Sequence, residues 1–503
     1  MSTSAPLGAS TGAQLDQPGH GPAPTPLPRI IQGGMGVAVS SWELAGAVAR
    51  EGHLGVVSGT ALDTVCARRL QLGDSGGHVR RALAHFPVPE MVQRILDRYY
   101  VPGGIGPAEP FKGVPMFTMT PTREIQELVM VANFVEVFLA RERGQGGMVG
   151  INYLYKIQLP ILASAYGAML AGVDVVIVGA GSPSKVPAVL DELGRGEDAG
   201  LALKVQYATS RDNHEIRFSP RELMGSALRP VPRPHFLAIV ASVELAAALC
   251  AEAVPPDGFV VEGHVAGGHN APPRGPRRFD DEGQPVYGPL DEVDPSGMVA
   301  LGRPFWFAGG YGVPGGLARA LEGGAAGIQV GTAFALCRES GIADGLKASI
   351  LDDVRKNQAR VRTDPRASPT SFPFKVLRLP GSLSEVAEYE QRQRVCDGGF
   401  LRVPFKTEAG GIGYRCPSEN EKTFARKGGR AQNTDGRVCL CNGLLATVGL
   451  GARRRSGYQE PPVVTLGDHA NSVAAFLRAG ATSYGAADVI ARLEEGAAAV
   501  AAG

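Results

Sequence analysis

Short apolar segments recur along the first two thirds of the chain, and each follows an Ala/Leu-rich helical segment and a small-residue turn. The clearest three are residues 173–179, 257–263 and 326–331. Near-continuous apolar strands that alternate with helices are typical of a parallel sheet covered on both faces. Enough such units fit between residues 28 and about 350 to close an eight-stranded barrel. The pattern predicts an α/β fold, a (β/α)8 barrel, with an open doubly wound sheet as the structural alternative.

Three segments depart from this alternation. Residues 60–145 are too long for one connection and contain helical stretches, and residues 270–300 read as a long loop over one barrel face. We predict a barrel over residues 28–375 with an insert at about 60–145. Residues 376–503, with few helical periods before 460, form a C-terminal extension packed on it. Residues 1–27 have no apolar core and are predicted to be a disordered leader rather than a signal peptide.

Composition and charge narrow the function. The 503 residues are 44% hydrophobic, which excludes a fibrous or wholly disordered protein. Lys+Arg 50 against Asp+Glu 49 gives +1, so we expect no nucleic-acid partner. No stretch approaches the roughly 20 apolar residues of a membrane helix, so we expect no membrane partner. Seven cysteines without a secretory signal indicate a reducing compartment, and we expect a cytoplasmic protein.

Two glycine-rich strand ends suggest a phosphate site. Gly309-Gly310 follows the predicted seventh strand, and Gly331-Thr332 follows the eighth about twenty residues later. In (β/α)8 barrels the loops after these two strands frequently hold a phosphate, because glycines let backbone N–H groups approach its oxygens. The Thr332 hydroxyl can add a donor. Each motif alone fits a tight turn, but the pair at this spacing favours phosphate binding.

A histidine lies in the loop after the predicted sixth strand. His269 follows Gly267-Gly268, which allow a sharp turn of the backbone toward a ligand. An imidazole there could take a proton from a carbon acid or give one to a product. His264 competes for the role, and a purely structural histidine is the alternative for both. We expect His269 to be the catalytic residue.

The first predicted strand ends in Gly33-Gly34-Met35-Gly36. Backbone amides in such a loop could cover a flat ring, with Met35 as a soft apolar contact. A tight strand-to-helix turn explains the same residues equally well.

Together these stretches resemble the nitronate monooxygenase family, formerly 2-nitropropane dioxygenases, in its long bacterial form. The family also includes flavin-dependent enoyl reductases. The matching stretches are residues 31–36 (IQGGMG), 150–152 (GIN), 261–269 (VEGHVAGGH), 308–312 (AGGYG) and 327–334 (GIQVGTAF), with Glu339-Ser340 after them. Each motif is short, but five in the family's order are specific.

The resemblance implies a TIM barrel that holds FMN non-covalently. Gly309, Gly310, Gly331 and Thr332 would bind the FMN phosphate. Gly33, Gly34 and Met35 would line the isoalloxazine ring, with Asn152 near it. Gly267 and Gly268 are expected as further cofactor-binding residues. His269 stands where the family places its catalytic histidine.

The resemblance implies an oxidoreductase with a small-molecule substrate. In the oxygenase branch, a nitroalkane or nitronate is oxidised with O2 to a carbonyl and nitrite, with His269 as catalytic base. In the reductase branch, NAD(P)H supplies hydride for an enoyl thioester. The motifs do not separate the branches, and we expect the oxygenase. An IMP-dehydrogenase-like barrel is a third alternative, but the loop after the sixth strand lacks the nucleophilic cysteine this chemistry needs. A flavin-binding scaffold is a fourth.

The C-terminal extension contains four cysteines within 46 residues, Cys396, Cys416, Cys439 and Cys441. Four thiolates could bind zinc or an iron–sulfur cluster. The pairs are not Cys-x2-Cys, and free buried cysteines are common, so we predict no metal. A basic patch at residues 274–278 reads as solvated surface, with contact to a substrate phosphate as the alternative.

Overall fold

A computed structural model describes residues 27–209, 211–495 and 497. The predicted leader, except Leu27, lies outside the described residues. The strands are β1 Ile30–Gln32, β2 Leu54–Ser58, β3 Val149–Leu154, β4 Val175–Gly179, β5 Ala199–Ala202, β6 Glu215–Phe218, β7 His235–Val240, β8 Gly258–Glu262, β9 Phe305–Ala308, β10 Gly327–Val330, β11 Val361–Asp364, β12 Phe374–Leu377, β13 Val403–Lys406 and β14 Ile412–Arg415.

Eight parallel strands close a barrel in the order β1-β2-β3-β4-β7-β8-β9-β10. The closure is made by β1, where Ile31 pairs with Leu54 of β2 and Ile30 pairs with Ile328 of β10. The predicted (β/α)8 barrel is therefore confirmed, and the open sheet is excluded. As predicted, the stretch before His269 is the sixth barrel strand, and the two Gly-rich stretches follow the seventh and eighth.

Helices surround the barrel and continue into the extension. They are α1 Trp42–Arg50, α2 Leu62–Gln71, α3 His78–Leu83, α4 Pro89–Tyr99, α5 Arg123–Gly144, α6 Ile161–Leu170, α7 Val186–Gly194, α8 Pro220–Met224, α9 Val243–Cys250, α10 Pro295–Val299, α11 Gly316–Glu322, α12 Thr332–Ala335, α13 Asp344–Arg355, α14 Val386–Gln391, α15 Glu421–Arg426, α16 Leu440–Thr447 and α17 Ala486–Glu494. Among the described residues, none of the helices is both long and apolar enough to cross a membrane.

The strands read as continuous apolar runs because both of their faces are buried. One face fills the barrel interior with a cluster that includes Leu54, Ile177, Val260 and Trp306. The other packs against the surrounding helices in the largest core of the molecule. Trp306 Nε1 donates to the Pro28 carbonyl at 2.7 Å, so its only polar atom is satisfied inside the core.

Part of the predicted insert at residues 60–145 belongs to the (β/α)8 barrel itself. Its last helix, α5, packs against α1 and α6 and takes the place of the helix between β2 and β3. The helices α2, α3 and α4 are additional. A second interruption, which the sequence reading missed, is the antiparallel β5–β6 hairpin between β4 and β7. Its β6 strand alternates exposed polar and buried apolar residues, and its β5 strand is only four residues long, so neither has the apolar run that marks a barrel strand.

The chain beyond the barrel returns to its mouth. The antiparallel hairpin β11–β12 spans the predicted boundary at residue 375, and residues 465–473, here called the roof segment, lie across the loops after β8 and β10. Asp468 N donates to the Val265 carbonyl at 3.0 Å. The extension therefore covers the end of the barrel where all eight strands present their carboxyl ends.

Candidate functional site

A cavity of about 250 Å³ opens at the carboxyl ends of the barrel strands, where barrel enzymes carry their active sites. All eleven residues predicted to form the site line it, namely Gly33, Gly34, Met35, Asn152, Gly267, Gly268, His269, Gly309, Gly310, Gly331 and Thr332. The structure thus brings together predicted residues from the ends of five of the eight barrel strands and from the loops that follow them.

The loop after β1 is fixed by a buried hydrogen-bond network. The Ser40 hydroxyl donates to the Gly33 carbonyl at 2.8 Å and accepts from Met35 N at 2.9 Å. The Gln32 side chain donates to Ser40 Oγ at 2.8 Å and accepts from Val56 N at 3.0 Å, which joins the loop to β2. These bonds hold the glycine loop in one conformation beside the cavity.

Gly34 packs directly on Asn152 at the end of β3. A Cβ at Gly34 would lie 2.4 Å from the Asn152 Cβ, which is closer than two carbon atoms can approach. Asn152 is itself oriented, because its Nδ2 donates to the Ile177 carbonyl at 3.1 Å. The glycine is required here for close approach of two barrel strand ends.

The loop after β9 has two consecutive residues in the left-handed region, Gly309 (φ +79°) and Gly310 (φ +82°). Non-glycine residues rarely adopt this conformation, so the Gly-Gly pair is a conformational requirement. Within the described residues, no hydrogen bond uses the N–H of either glycine. The His469 ring of the roof segment lies beside them, with Cε1 3.6 Å from the position of a Cβ at Gly310.

The loop after β10 meets the roof segment. Thr332 Oγ1 accepts a hydrogen bond from Gly467 N at 2.9 Å, which leaves the hydroxyl proton available for a ligand. Gly331 lies against Met35, since a Cβ there would be 3.5 Å from the Met35 sulfur. The loops after the first and last barrel strands therefore meet at the cavity.

Gly267 and Gly268 lie under the start of the roof segment. A Cβ at Gly267 would lie 2.9 Å from the Leu466 carbonyl carbon. Gly268 N donates to Thr465 Oγ1 at 2.8 Å. Both glycines allow the extension to lie close against this loop.

His269 is held by residues that follow the eighth barrel strand. Its Nε2 lies 2.6 Å from the Ser368 hydroxyl, and its ring makes an edge contact with Phe374 at 4.9 Å between centroids. Burial, and after it the positive charge of Lys156, together lower the pKa of His269 to about 4. The imidazole is therefore neutral at neutral pH and able to accept a proton.

Ser368 is a residue that the sequence reading missed. It is fully buried, and its hydroxyl also lies 2.8 Å from Thr370 Oγ1. The Arg437 guanidinium donates to the Ser368 carbonyl. No motif marks this serine, because it reaches His269 only through the folding of the β11–β12 hairpin.

His264 lies apart from the cavity lining. Its ring stacks on Tyr287 of the 270–300 loop, with centroids 4.5 Å apart and planes 13° from parallel. Of the two histidines in this loop, only His269 lines the cavity. The basic patch that follows is also outside the lining: Arg277 and Arg278 are exposed, and the Arg274 guanidinium donates to the Ala241 carbonyl.

Glu262, at the end of β8, is a second titratable residue of the cavity and was not predicted as a site residue. Burial raises the pKa of its carboxyl to about 7. Its position at the carboxyl end of a barrel strand could have marked it as a candidate site residue, since catalytic residues of (β/α)8 barrels commonly lie at such strand ends.

Residues beyond the eighth barrel strand also supply an apolar wall, defined here as Phe374, Phe400, Leu401, Leu440 and Leu444. These residues line the cavity together with the roof segment. Sequence reasoning could not place these residues, because they lie more than a hundred positions beyond the loop of His269 and have no motif.

The residues present fit a flavin. A flavin mononucleotide needs a flat slot for its ring and converging donors for its phosphate. The cavity offers backbone without side chains at Gly33 and Gly34, and N–H groups at Gly309 and Gly310 that bond to none of the described residues. The Thr332 hydroxyl and the His469 ring stand at the same end.

Comparison with known proteins supports this assignment. The family model described as nitronate monooxygenase matches residues 233–362, from the start of β7 into β11. This span includes His269 and the two glycine motifs at residues 309–310 and 331–332, and it confirms the resemblance predicted from the sequence. No curated protein gives a significant match.

Three matches to solved structures extend over almost the whole chain. A nitroalkane oxidase from Streptomyces ansochromogenes is 16% identical, with a TM-score of 0.46 over 95% of this chain and 97% of that chain. FabK from Thermotoga maritima is 16% identical, with a TM-score of 0.42 over 94% of each chain. The enoyl reductase domain of MlnA from the macrolactin biosynthesis cluster of Bacillus amyloliquefaciens is 12% identical, with a TM-score of 0.45 over 94% of each chain.

Proposed function

We propose that this chain, which resembles nitronate monooxygenases, is a flavin-dependent oxidoreductase that binds FMN at the barrel mouth and oxidises nitroalkanes or their nitronates with O2 to a carbonyl and nitrite. The observation that carries the proposal is the convergence of all eleven predicted residues on one cavity. A bound flavin supplies the redox chemistry in such a site. The protein's residues hold it, orient the substrate and move a proton.

Phosphate recognition distinguishes FMN from riboflavin. The N–H groups of Gly309 and Gly310, the Thr332 hydroxyl and the His469 ring lie near one another at the cavity. We expect FMN to bind at least tenfold more tightly than riboflavin, because only FMN carries the phosphate that these donors match. His469→Ala should weaken FMN and leave riboflavin binding unchanged, as measured by titration of apoprotein with each flavin. Equal loss for both flavins would contradict a role at the phosphate.

His269 is proposed as the base. Its neutral imidazole, with a pKa of about 4, can accept the proton on the carbon that bears the nitro group. The Ser368 hydroxyl, at 2.6 Å from Nε2, fixes the ring. A substrate supplied as the anionic nitronate has already lost this proton and does not need the base.

The test compares two histidine variants on two forms of one substrate. We expect His269→Ala to retain flavin and to lower kcat for a neutral nitroalkane by roughly 10²–10⁴-fold, with a much smaller effect on the nitronate. His264→Ala is the matched control, since that ring stacks on Tyr287 outside the lining. Full activity of His269→Ala on the neutral substrate would remove the assignment.

Reduction of an enoyl thioester by NAD(P)H is the second candidate, and one observation favours it. The apolar wall gives the cavity a surface that suits an acyl chain better than a small nitroalkane. Against it stands the low pKa of His269, because a neutral imidazole is a weak proton donor.

Anaerobic addition of NADPH separates the two. Rapid bleaching of the visible flavin band would assign the protein to the reductases and direct the substrate search to enoyl thioesters. A stable band that bleaches on addition of a nitronate supports the oxygenase. Folded protein that carries no flavin would contradict both.

A further inference from the structure

A side pocket of about 20 Å³ adjoins the cavity at the barrel mouth. The two share part of their lining, namely Thr60, Tyr153, Leu154, Ile157 and Phe400. Thr60 follows β2, and Leu154 ends β3. Because β3 and β9 are four strands apart in the eight-stranded barrel, the side pocket lies on the opposite side of the mouth from the Gly309-Gly310 loop. A molecule in the cavity can place a terminal group there, away from the loops predicted to bind phosphate.

Two buried polar side chains of the side pocket have hydrogen-bonding capacity that the protein does not use. Ser164, on α6, is 4% exposed, and its hydroxyl bonds to none of the described residues. Asp63, on α2, is 6% exposed. Its Oδ1 accepts from Thr64 N at 2.7 Å, and its other oxygen has no donor within the described part of the chain. Buried polar groups are normally hydrogen-bonded, so both side chains are available to a ligand in the pocket.

The charge of Asp63 is also unpaired. Arg68, the first basic residue after it on α2, donates to the Leu450 carbonyl instead, and no basic side chain of the described ranges lies within 4 Å of the Asp63 carboxylate. The start of α2 supplies only the partial positive charge of a helix end. Burial raises the pKa of Asp63 to about 6, so the carboxylate is mainly ionised at pH 8. Buried carboxylates are seldom left without a cation, and the pocket therefore favours a positively charged group.

Size and donor number narrow the kind of group. A space of about 20 Å³ holds one water-sized group, which excludes a carboxylate or a phosphate. An ammonium group has this size and carries three N–H donors. The Asp63 carboxylate and the Ser164 and Thr60 hydroxyls, which all line the side pocket, are three acceptors for them.

We propose that the side pocket is a subsite for a primary ammonium group, held by Asp63 with the Ser164 and Thr60 hydroxyls, and that the substrate carries this group at one end. The inference adds a substrate class to the proposed function and rests on it for the reaction at the other end. β2 and β8 are also four strands apart, so such a substrate extends across the mouth from His269 toward Asp63. A nitroalkane with a terminal amine has both features.

The experiment is calorimetric titration of the flavin-loaded protein at pH 8 with 1-alkylammonium ions of several chain lengths and with the 1-alkanols of the same lengths. We expect the best alkylammonium ion to bind at least tenfold more tightly than its matched alkanol, because only the ammonium carries a charge for Asp63. Equal affinity would overturn the proposal. Ammonium chloride alone tests for a free cation, and binding as tight as that of the alkylammonium ions would overturn a substrate subsite.

A variant assigns the preference to Asp63. Asp63→Asn removes the charge with almost no change of shape and should abolish the preference for the ammonium ion. Asp97→Asn, at an exposed position of α4, is the matched control and should keep it. If Asp63→Asn is less stable but keeps the preference, the carboxylate serves only the start of α2 and the proposal fails. If the variant does not fold, the comparison of alkylammonium and alkanol on the unmodified protein decides.

Turnover separates this inference from the proposed function. We expect ω-nitroalkylammonium ions to be oxidised with kcat/KM at least tenfold above that of 1-nitroalkanes of matched length, mainly through KM. Alkylammonium binding that depends on Asp63, without oxidation of either nitro compound, would contradict the proposed function and support the subsite. Oxidation of both compounds with equal kcat/KM would support the proposed function and overturn the subsite.

Discussion

Glu262 and His269 line the same cavity, and burial shifts their pKa values in opposite directions. The carboxyl rises to about 7, and the imidazole falls to about 4. Both shifts favour the uncharged form, as expected where apolar surroundings penalise charge. At pH 6 the pair is therefore a carboxylic acid and a neutral imidazole, which is the reverse of their protonation states in water.

The raised pKa of Glu262 makes a prediction about stability. Its folded pKa, about 7, exceeds its usual value of 4.5. The stability it contributes is thus fully present below pH 4.5 and is lost as pH rises through 7. Glu262→Gln removes this dependence, so relative to the unmodified protein its free energy of unfolding should rise by up to about 3 kcal/mol between pH 4.5 and pH 8.

Urea unfolding of both proteins at the two pH values measures the effect. Glu421→Gln, at an exposed position of α15, is the control and should show no such change. A constant difference between Glu262→Gln and the unmodified protein across this range would show that the carboxyl titrates normally.

A second prediction concerns the pH–rate profile. Because the proposed base has a pKa of about 4, kcat/KM for a neutral nitroalkane should show no loss from His269 between pH 8 and pH 6. Removing the Lys156 charge in Lys156→Gln should move the acidic limb to higher pH, since that charge lowers the pKa of His269. An acidic limb already near pH 6.5 in the unmodified protein would contradict the buried, neutral histidine.

At the scale of elements, the close approach of the β1 loop to the end of β3 shapes the slot. We expect Gly34→Ala to reduce flavin affinity at least tenfold, because the new Cβ would stand 2.4 Å from the Asn152 Cβ and push the loop away. Gly113→Ala is the control, since a Cβ there meets no atom within 4 Å. Flavin titration measures both. Unchanged affinity in Gly34→Ala would mean that this approach does not define the binding slot.

The elements that could be predicted from the sequence are those marked by an apolar run or by glycines within the segment itself. The barrel strands are apolar on both faces, and glycines end β1, β9 and β10, so their order and loops could be read directly. The β5–β6 hairpin and the β11–β12 hairpin were missed because alternating or polar four-residue strands do not differ from loops in a single sequence.

At the scale of the whole molecule, the extension is tied to the barrel through buried polar contacts. Lys375 Nζ is fully buried and donates to Asp468 Oδ2 and to Thr363 Oγ1, each at 2.6 Å. The roof segment also bonds to the loops after β8 and β10, through Thr465 and Gly467. These links explain why the site could be predicted only in part: its barrel half has motifs, whereas its other half depends on contacts between distant parts of the chain.

This arrangement predicts that barrel, extension and flavin site unfold together. Circular dichroism and flavin release, followed during urea unfolding, should give coincident transitions. Lys375→Met leaves Asp468 without its partner and should lower the midpoint for both signals, because an unpaired charge remains partly buried. Lys356→Met, at an exposed surface pair on α13, is the control. Flavin release well before loss of helix signal in the unmodified protein would show that the roof opens independently.

The roof segment has a consequence for how the protein acquires its cofactor. Synthesis proceeds from the N-terminus, so β1 to β10 leave the ribosome before residues 465–473 do. A barrel can therefore close and present an open mouth while its cover is still being made. Flavin that enters then would be enclosed when the roof segment docks. In the finished protein, exchange requires local opening of the roof, so cofactor lifetime is set by the stability of one short C-terminal segment rather than by the barrel beneath it.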